Sequence, residues 1–124
     1  MKIRIQGNSI RVRTSRGEVA RLGGGDSIEQ QTLFSRDAKL VYSVTPVKNL
    51  SMAVVKFDGT TIGIELPLDE VARWASTEQV GMESNLRIDE ENSLRLLIEK
   101  DFECLHARTD EADDSFPHPL REIS

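Results

Sequence analysis

The chain has 124 residues, 38% of them hydrophobic and 30% charged, with a formal net charge of -5 at pH 7. That length suits one domain with a substantial core, and an acidic balance argues against general affinity for nucleic acid. No apolar run approaches the roughly 20 residues of a membrane helix, and the single cysteine excludes an internal disulfide, so a cytoplasmic setting is expected.

The charge is unevenly spread. Residues 1–48 hold nine Lys/Arg and four Asp/Glu, whereas residues 49–124 hold seven Lys/Arg and seventeen Asp/Glu. Either the two halves neutralise each other within one domain, or the basic first half faces an outside anion.

Lys2 to Gln6 and Ser9 to Arg13 alternate, with Ile3, Ile5, Ile10 and Val12 as the apolar set. This start is not a signal peptide. Gly7-Asn8 suits a two-residue hairpin turn that pairs Ile5 with Ile10 and Ile3 with Val12. The same register sets Arg4 opposite Arg11 and Lys2 opposite Arg13. Like charges across a ladder are destabilising, so an acidic row is expected nearby.

Ser15 and Glu18 have capping-box spacing and open a short helix with Val19 and Leu22 on one face. Gly23-Gly24-Gly25 follows the helix rather than preceding one, so it reads as a terminator and not as a phosphate loop. Ser27–Phe34 and Lys39–Pro46 read as strands, with Leu40, Tyr42 and Val44 on one face and Pro46 marking a strand end or edge. Met52–Phe57 and Thr60–Leu66 form a predicted hairpin about Asp58-Gly59, in a register that places Val55 by Ile62 and Ala53 by Ile64. After Pro67, a second short helix carries Leu68, Val71, Trp74 and Ala75 on one face, with Trp74 expected in the core.

Glu78–Ile88 supplies a further strand. Ser93–Leu105 then reads as the central strand, with Leu94, Leu96 and Ile98 on one face and Leu97 on the other. Residues 109–115 carry four acids and are expected to be mobile, which divides the chain into a globular domain over 1–108 and an acidic tail over 109–124. No internal repeat is recognised. Seven or eight short strands with tight turns and two small helices indicate an α+β fold, mainly antiparallel, as a curled sheet or barrel. Parallel winding is disfavoured because most connections are too short for crossovers.

Three sets of residues invite a chemical reading. Lys2, Arg4, Arg11 and Arg13 form a candidate anion site. Glu99, Asp101 and Glu103 alternate as candidate ligands for a hard cation. Their row spans about 13 Å, so one ion would need a further segment, such as one carrying Glu65. The same acids could instead neutralise the basic hairpin, which predicts Glu99 or Asp101 within ion-pair reach of Arg4 or Arg11. Cys104, His106 and His118 fall one ligand short of a structural zinc set, and Cys104 reads as a buried, inert thiol beside Phe102 and Ile98. The basic face lacks the interleaved aromatics of single-strand binders.

K-I-R-I-Q-G-N-S-I-R-V-R near the start and L-L-I-E-K-D-F-E-C-L near the end resemble the two ends of a small uncharacterised bacterial family, a domain of unknown function. The resemblance covers nearly the whole chain and implies a bacterial intracellular protein, but no activity. A more distant likeness is to the triphosphate tunnel enzymes, small antiparallel barrels whose first strand reads Glu-x-Glu-x-Lys. Lys2-Ile3-Arg4-Ile5-Gln6 departs from that pattern and lacks its metal-binding carboxylates.

With no nucleophile–base pair, complete metal set or cofactor loop, the expected function is a non-enzymatic binding or interaction module without a cofactor, its partner left open between a protein and, as the lesser reading, a small anionic ligand. The alternative is an enzyme or receptor for a phosphorylated small molecule, using the basic hairpin and the carboxylate row.

Overall fold

The computed structural model describes residues 1–102. The elements are β1 (Lys2–Gln6), β2 (Ser9–Thr14), α1 (Arg16–Gly23), β3 (Ile28–Leu33), β4 (Lys39–Val47), β5 (Val54–Phe57), β6 (Thr61–Pro67), α2 (Leu68–Ser76), β7 (Gly81–Arg87) and β8 (Ser93–Lys100). They form two four-stranded sheets, ordered β1-β2-β8-β7 and β3-β4-β6-β5. The α+β class therefore holds, but there are two sheets rather than one curled sheet, and neither closes into a barrel.

Each sheet is built from two antiparallel hairpins joined by a central parallel pair, β2 with β8 and β4 with β6. The expectation against parallel strands fails because neither pair is consecutive in the chain, so no short loop has to make the crossover. β2 and β8 come from opposite ends of the described chain, and β4 reaches β6 only after the chain has run through edge strand β5.

The two halves of the described chain repeat one another, contrary to the sequence expectation. Each half runs hairpin, helix, hairpin. Moving β1–β2 forward by 52 positions (Ile10 to Ile62) gives β5–β6 pair for pair, so that Ile3 with Val12 becomes Val55 with Ile64, and Ile5 with Ile10 becomes Phe57 with Ile62. Moving β3–β4 forward by 54 positions (Ile28 to Met82) gives β7–β8, and the pairing of Ile28 with Val44 becomes that of Met82 with Ile98. Even the parallel contacts correspond, Val12 with Ile98 matching Ile64 with Val44. Each sheet thus takes one hairpin from each half, in a pseudo-two-fold arrangement. Glu18-Val19-Ala20-Arg21 in α1 recurs as Glu70-Val71-Ala72-Arg73 in α2.

Local chemistry explains the elements. Gly7, at φ 54, turns β1 into β2, and the predicted register of that hairpin is observed in full. In the second hairpin the turn is displaced. Asp58 accepts bonds from the N–H groups of Thr60 and Thr61 and from the Thr60 hydroxyl, which moves the loop onto Gly59-Thr60. Val55 therefore faces Ile64 rather than Ile62, two residues from the expected register but on the same face of the sheet.

At α1 the Ser15 hydroxyl accepts from the Glu18 N–H while Glu18 Oε1 accepts from the Ser15 N–H, a reciprocal cap. The Met1 amino group adds an ion pair to Glu18 at 2.6 Å. Burial pushes the Glu18 carboxyl up, but its bonds to the Met1 amine and Ser15 outweigh this and hold it below the ordinary 4.5.

A single core takes Ile10, Val12, Met82, Leu96 and Ile98 from the first sheet, and Ile28, Val44, Ile62, Ile64 and Leu66 from the second. Val19 and Leu22 of α1 and Val71 and Trp74 of α2 complete it. Burying each such aliphatic side chain contributes about 1.5–3 kcal/mol relative to exposure. The Trp74 indole N–H is satisfied by the Val80 carbonyl at 3.0 Å, so its place in the core leaves no orphaned donor. The helices meet closely: a Cβ built on Gly23 would lie 2.6 Å from that of Ala75, the residue equivalent to Gly23 in the second half. Among the described residues no helix is long and apolar enough to cross a membrane.

Candidate functional site

The outer face of the first sheet carries the charged residues singled out in the sequence. Alternation along β1 and β2 sends Ile3, Ile10 and Val12 inward and Lys2, Arg4, Arg11 and Arg13 outward. Because β8 lies beside β2, the same face continues through Arg95, Leu97 and Glu99, and then through Glu83 and Arg87 of β7. Lys2, Arg4, Arg11, Arg13, Arg87 and Arg95 therefore share it with only two carboxylates from the strands, Glu83 and Glu99. The corresponding face of the second sheet balances Lys39 and Lys56 against Glu29 and Glu65. One basic surface thus stands on an acidic protein.

The acids expected to neutralise the basic row do lie beside it. Glu99 Oε1 accepts from Arg11 Nε at 2.6 Å and from Arg13 Nε at 3.0 Å, and the Glu99 side chain is only 13% exposed. Asp101, just beyond β8, reaches Lys2 Nζ at 3.4 Å. The backbone sets this geometry. The Arg13–Glu99 pair lies in register across the parallel ladder, Thr14 Oγ1 donates to the Glu99 carbonyl, and the Asp101 N–H donates to the Thr14 carbonyl. The repulsion between Arg11 and Arg13 is thereby converted into a shared, partly buried acceptor.

Arg4 differs. Among the described residues it has no carboxylate partner. It lines a hollow of about 220 Å³ with Gln6, Ser9, Ile10, Arg11, Arg95 and Leu97. Arg95 is steadied by Glu83, which accepts from its Nε at 2.7 Å. Three guanidinium-bearing side chains from three different strands thus border one hollow. This arrangement suits a carboxylate or phosphate, since guanidinium presents several donors in a fixed plane.

Arg95 was missed by sequence reasoning. Its signal was its parity with Leu97 and Glu99 on β8, which becomes informative only once β8 is known to adjoin β2.

The carboxylate row is not gathered for a metal in the described part of the chain. Glu99 and Asp101 are engaged by cations, Glu65 lies on the other sheet near Lys56, and no group of three or more His, Cys, Asp or Glu assembles among the described residues. Glu103, Cys104, His106, His118 and the segment 109–115 lie outside the described residues, as does the boundary expected near residue 108. The central strand itself stops at Lys100, short of the expected Leu105, and Phe102 is half-exposed. A wider hollow of about 910 Å³, lined by Thr14, Val19, Ala20, Ala75 and Lys100, ends at Phe102, the last described residue.

In comparison with known proteins, a family model described as a family of unknown function, DUF7009, matches residues 1–120. No curated protein and no solved structure matches the chain.

Proposed function

Because the chain belongs to the family of unknown function DUF7009, we propose a role from its own geometry: it is a non-enzymatic binding domain whose first-sheet outer face holds an anionic group of a ligand or partner. The observation that carries this reading is Arg4, which lacks an acidic partner among the described residues beside the Arg11–Arg95 hollow. Glu99 holds Arg11 and Arg13 through single Nε contacts, which fixes their positions. The hollow is small, about 220 Å³, and bordered by three arginines, which suits recognition of a compact charged group.

The reading is tested by titrating pyrophosphate and citrate into the full-length protein at low salt while amide and arginine side-chain NMR signals are followed. Shifts are expected at Arg4, Gln6 and Arg95, fading as salt is raised and weakened several-fold in Arg4→Ala and Arg95→Ala. Unchanged spectra for both anions, or shifts that persist in Arg4→Ala, overturn it. Hydrolysis of the added pyrophosphate in the presence of magnesium replaces it with the enzymatic alternative.

A further inference from the structure

Among the described residues β1 is an edge strand, and half of its backbone groups have no partner strand. The two-residue turn makes Gln6 and Ser9 a hydrogen-bonded closing pair, and alternation from there bonds Arg4 to Arg11 and Lys2 to Arg13. The other neighbour of β2 agrees with this phase, since the Asn8 and Thr14 carbonyls accept from β8. The N–H and C=O groups of Ile3 and Ile5 therefore point away from the sheet. The Ile5 side chain, on the core-facing side, is 57% exposed, although its partner Ile10 is buried. On the opposite side stand Lys2, which Asp101 reaches at 3.4 Å, and Arg4, which has no carboxylate partner among the described residues.

We propose that β1 is the docking edge for an extended peptide of alternating acidic and apolar residues, which adds to the first sheet as a fifth strand. The proposal rests on the anion-binding reading of this face and names the partner class. A strand laid along β1 bonds to Ile3 and Ile5 through its backbone. Its residues opposite Lys2 and Arg4 fall on the basic face, and the alternate ones fall on the core side, where they cover Ile5. Acidic residues answer the first requirement and apolar residues the second.

The other occupants fit less well. A second copy pairing antiparallel about Arg4 would set Arg4 against its own counterpart, a like-charge contact of the kind that protects edges from self-association. The equivalent edge, β5, presents one cation, Lys56, which Glu65 holds, whereas β1 adds to the Lys2–Asp101 pair an Arg4 with no carboxylate partner among the described residues. Edge strand β7 has its Glu83 paired with Arg95. Edge strand β3 presents Glu29, Gln30 and Gln31, with no cation to receive an acid.

The test uses the full-length protein and a capped nine-residue peptide of alternating glutamate and valine. Three controls accompany it: the same composition in scrambled order, lysine in place of glutamate, and N-methylation of alternate backbone nitrogens on the edge that would face β1. Amide exchange at Ile3 and Ile5 and a binding isotherm are read together. Slowed exchange at both residues is expected with the alternating peptide, together with a loss of affinity of about tenfold or more on N-methylation and a similar loss in Arg4→Glu.

Binding that needs Arg4 but ignores scrambling and N-methylation overturns strand addition while leaving the anion site standing. Absence of binding by either acidic peptide, with pyrophosphate and citrate also silent, overturns both. Tighter binding of an oligothymidylate than of the alternating peptide assigns the face to nucleic acid and overturns the peptide proposal.

Discussion

Glu99 shows how one side chain can settle a conflict written into the sequence. Two arginines on β2 would repel each other and the β1 cations, yet both donate to a single carboxylate oxygen that is only slightly exposed. Replacing Glu99 with Gln keeps an acceptor oxygen but removes the negative charge that two partly buried guanidinium groups face, so urea unfolding should show a loss of about 1–3 kcal/mol. A double-mutant cycle on Arg11→Ala and Glu99→Ala should give a coupling of about 0.5–3 kcal/mol, and the cycle on Arg4→Ala and Glu99→Ala should give nearly none. Equal coupling in both cycles would contradict the assignment of Glu99 to Arg11 rather than Arg4.

The two helices contain the tightest fit. Gly23 of α1 and Ala75 of α2 occupy equivalent places in the two halves and meet each other. Alanine at position 23 gains about 1 kcal/mol of helix propensity, but its methyl group must displace another methyl that has no rotamer to escape into. The net effect of Gly23→Ala should be a destabilisation of about 1–3 kcal/mol in thermal or urea unfolding. Adding Ala75→Gly should restore much of that loss, because it returns the space to the contact; failure of the second change to rescue would show that the helices are not held by this contact. Capping and turn chemistry act at the same level. Ser15 with Glu18 starts α1, and the Asp58 carboxylate selects which two residues form the tip of the second hairpin.

The arrangement of the two halves makes the fold depend on both. Neither half contains a whole sheet, and the central ladders join β2 to β8 and β4 to β6 across the duplication. A two-stranded hairpin alone is at best marginally stable in water. Fragments 1–50 and 51–124 prepared separately should therefore lack cooperative unfolding by circular dichroism, and mixing them should restore both the sheet signal and a cooperative transition. A cooperative transition in either fragment alone would show that the halves are independent units. The same topology puts the basic first hairpin beside Glu99 of β8 and Asp101 just beyond it, so opposite charges from the two ends of the described chain meet on one face.

Much of this was legible in the residues themselves. Alternation, the Gly7-Asn8 turn and the capping box are local signals, and they placed β1, β2 and α1 with their register and caps, because neighbouring residues alone decide those energies. The acid row was also foreseen as the counterweight to the basic hairpin, and Glu99 with Arg11 bears that out. The repeated Glu-Val-Ala-Arg of the two helices was present too, but eight residues of helix are too few to announce a duplication when the strands around them share only a pattern of burial. Which strands lie side by side was decided by tertiary structure. The partner of β2 stands more than eighty residues away, and any strand with an apolar face could have taken its place as far as periodicity shows. Only the shared core, filled from both halves at once, selects β8. That choice brings Arg95 to the hollow and Glu99 to the arginines, and it leaves Arg4 at the edge without an acid among the described residues.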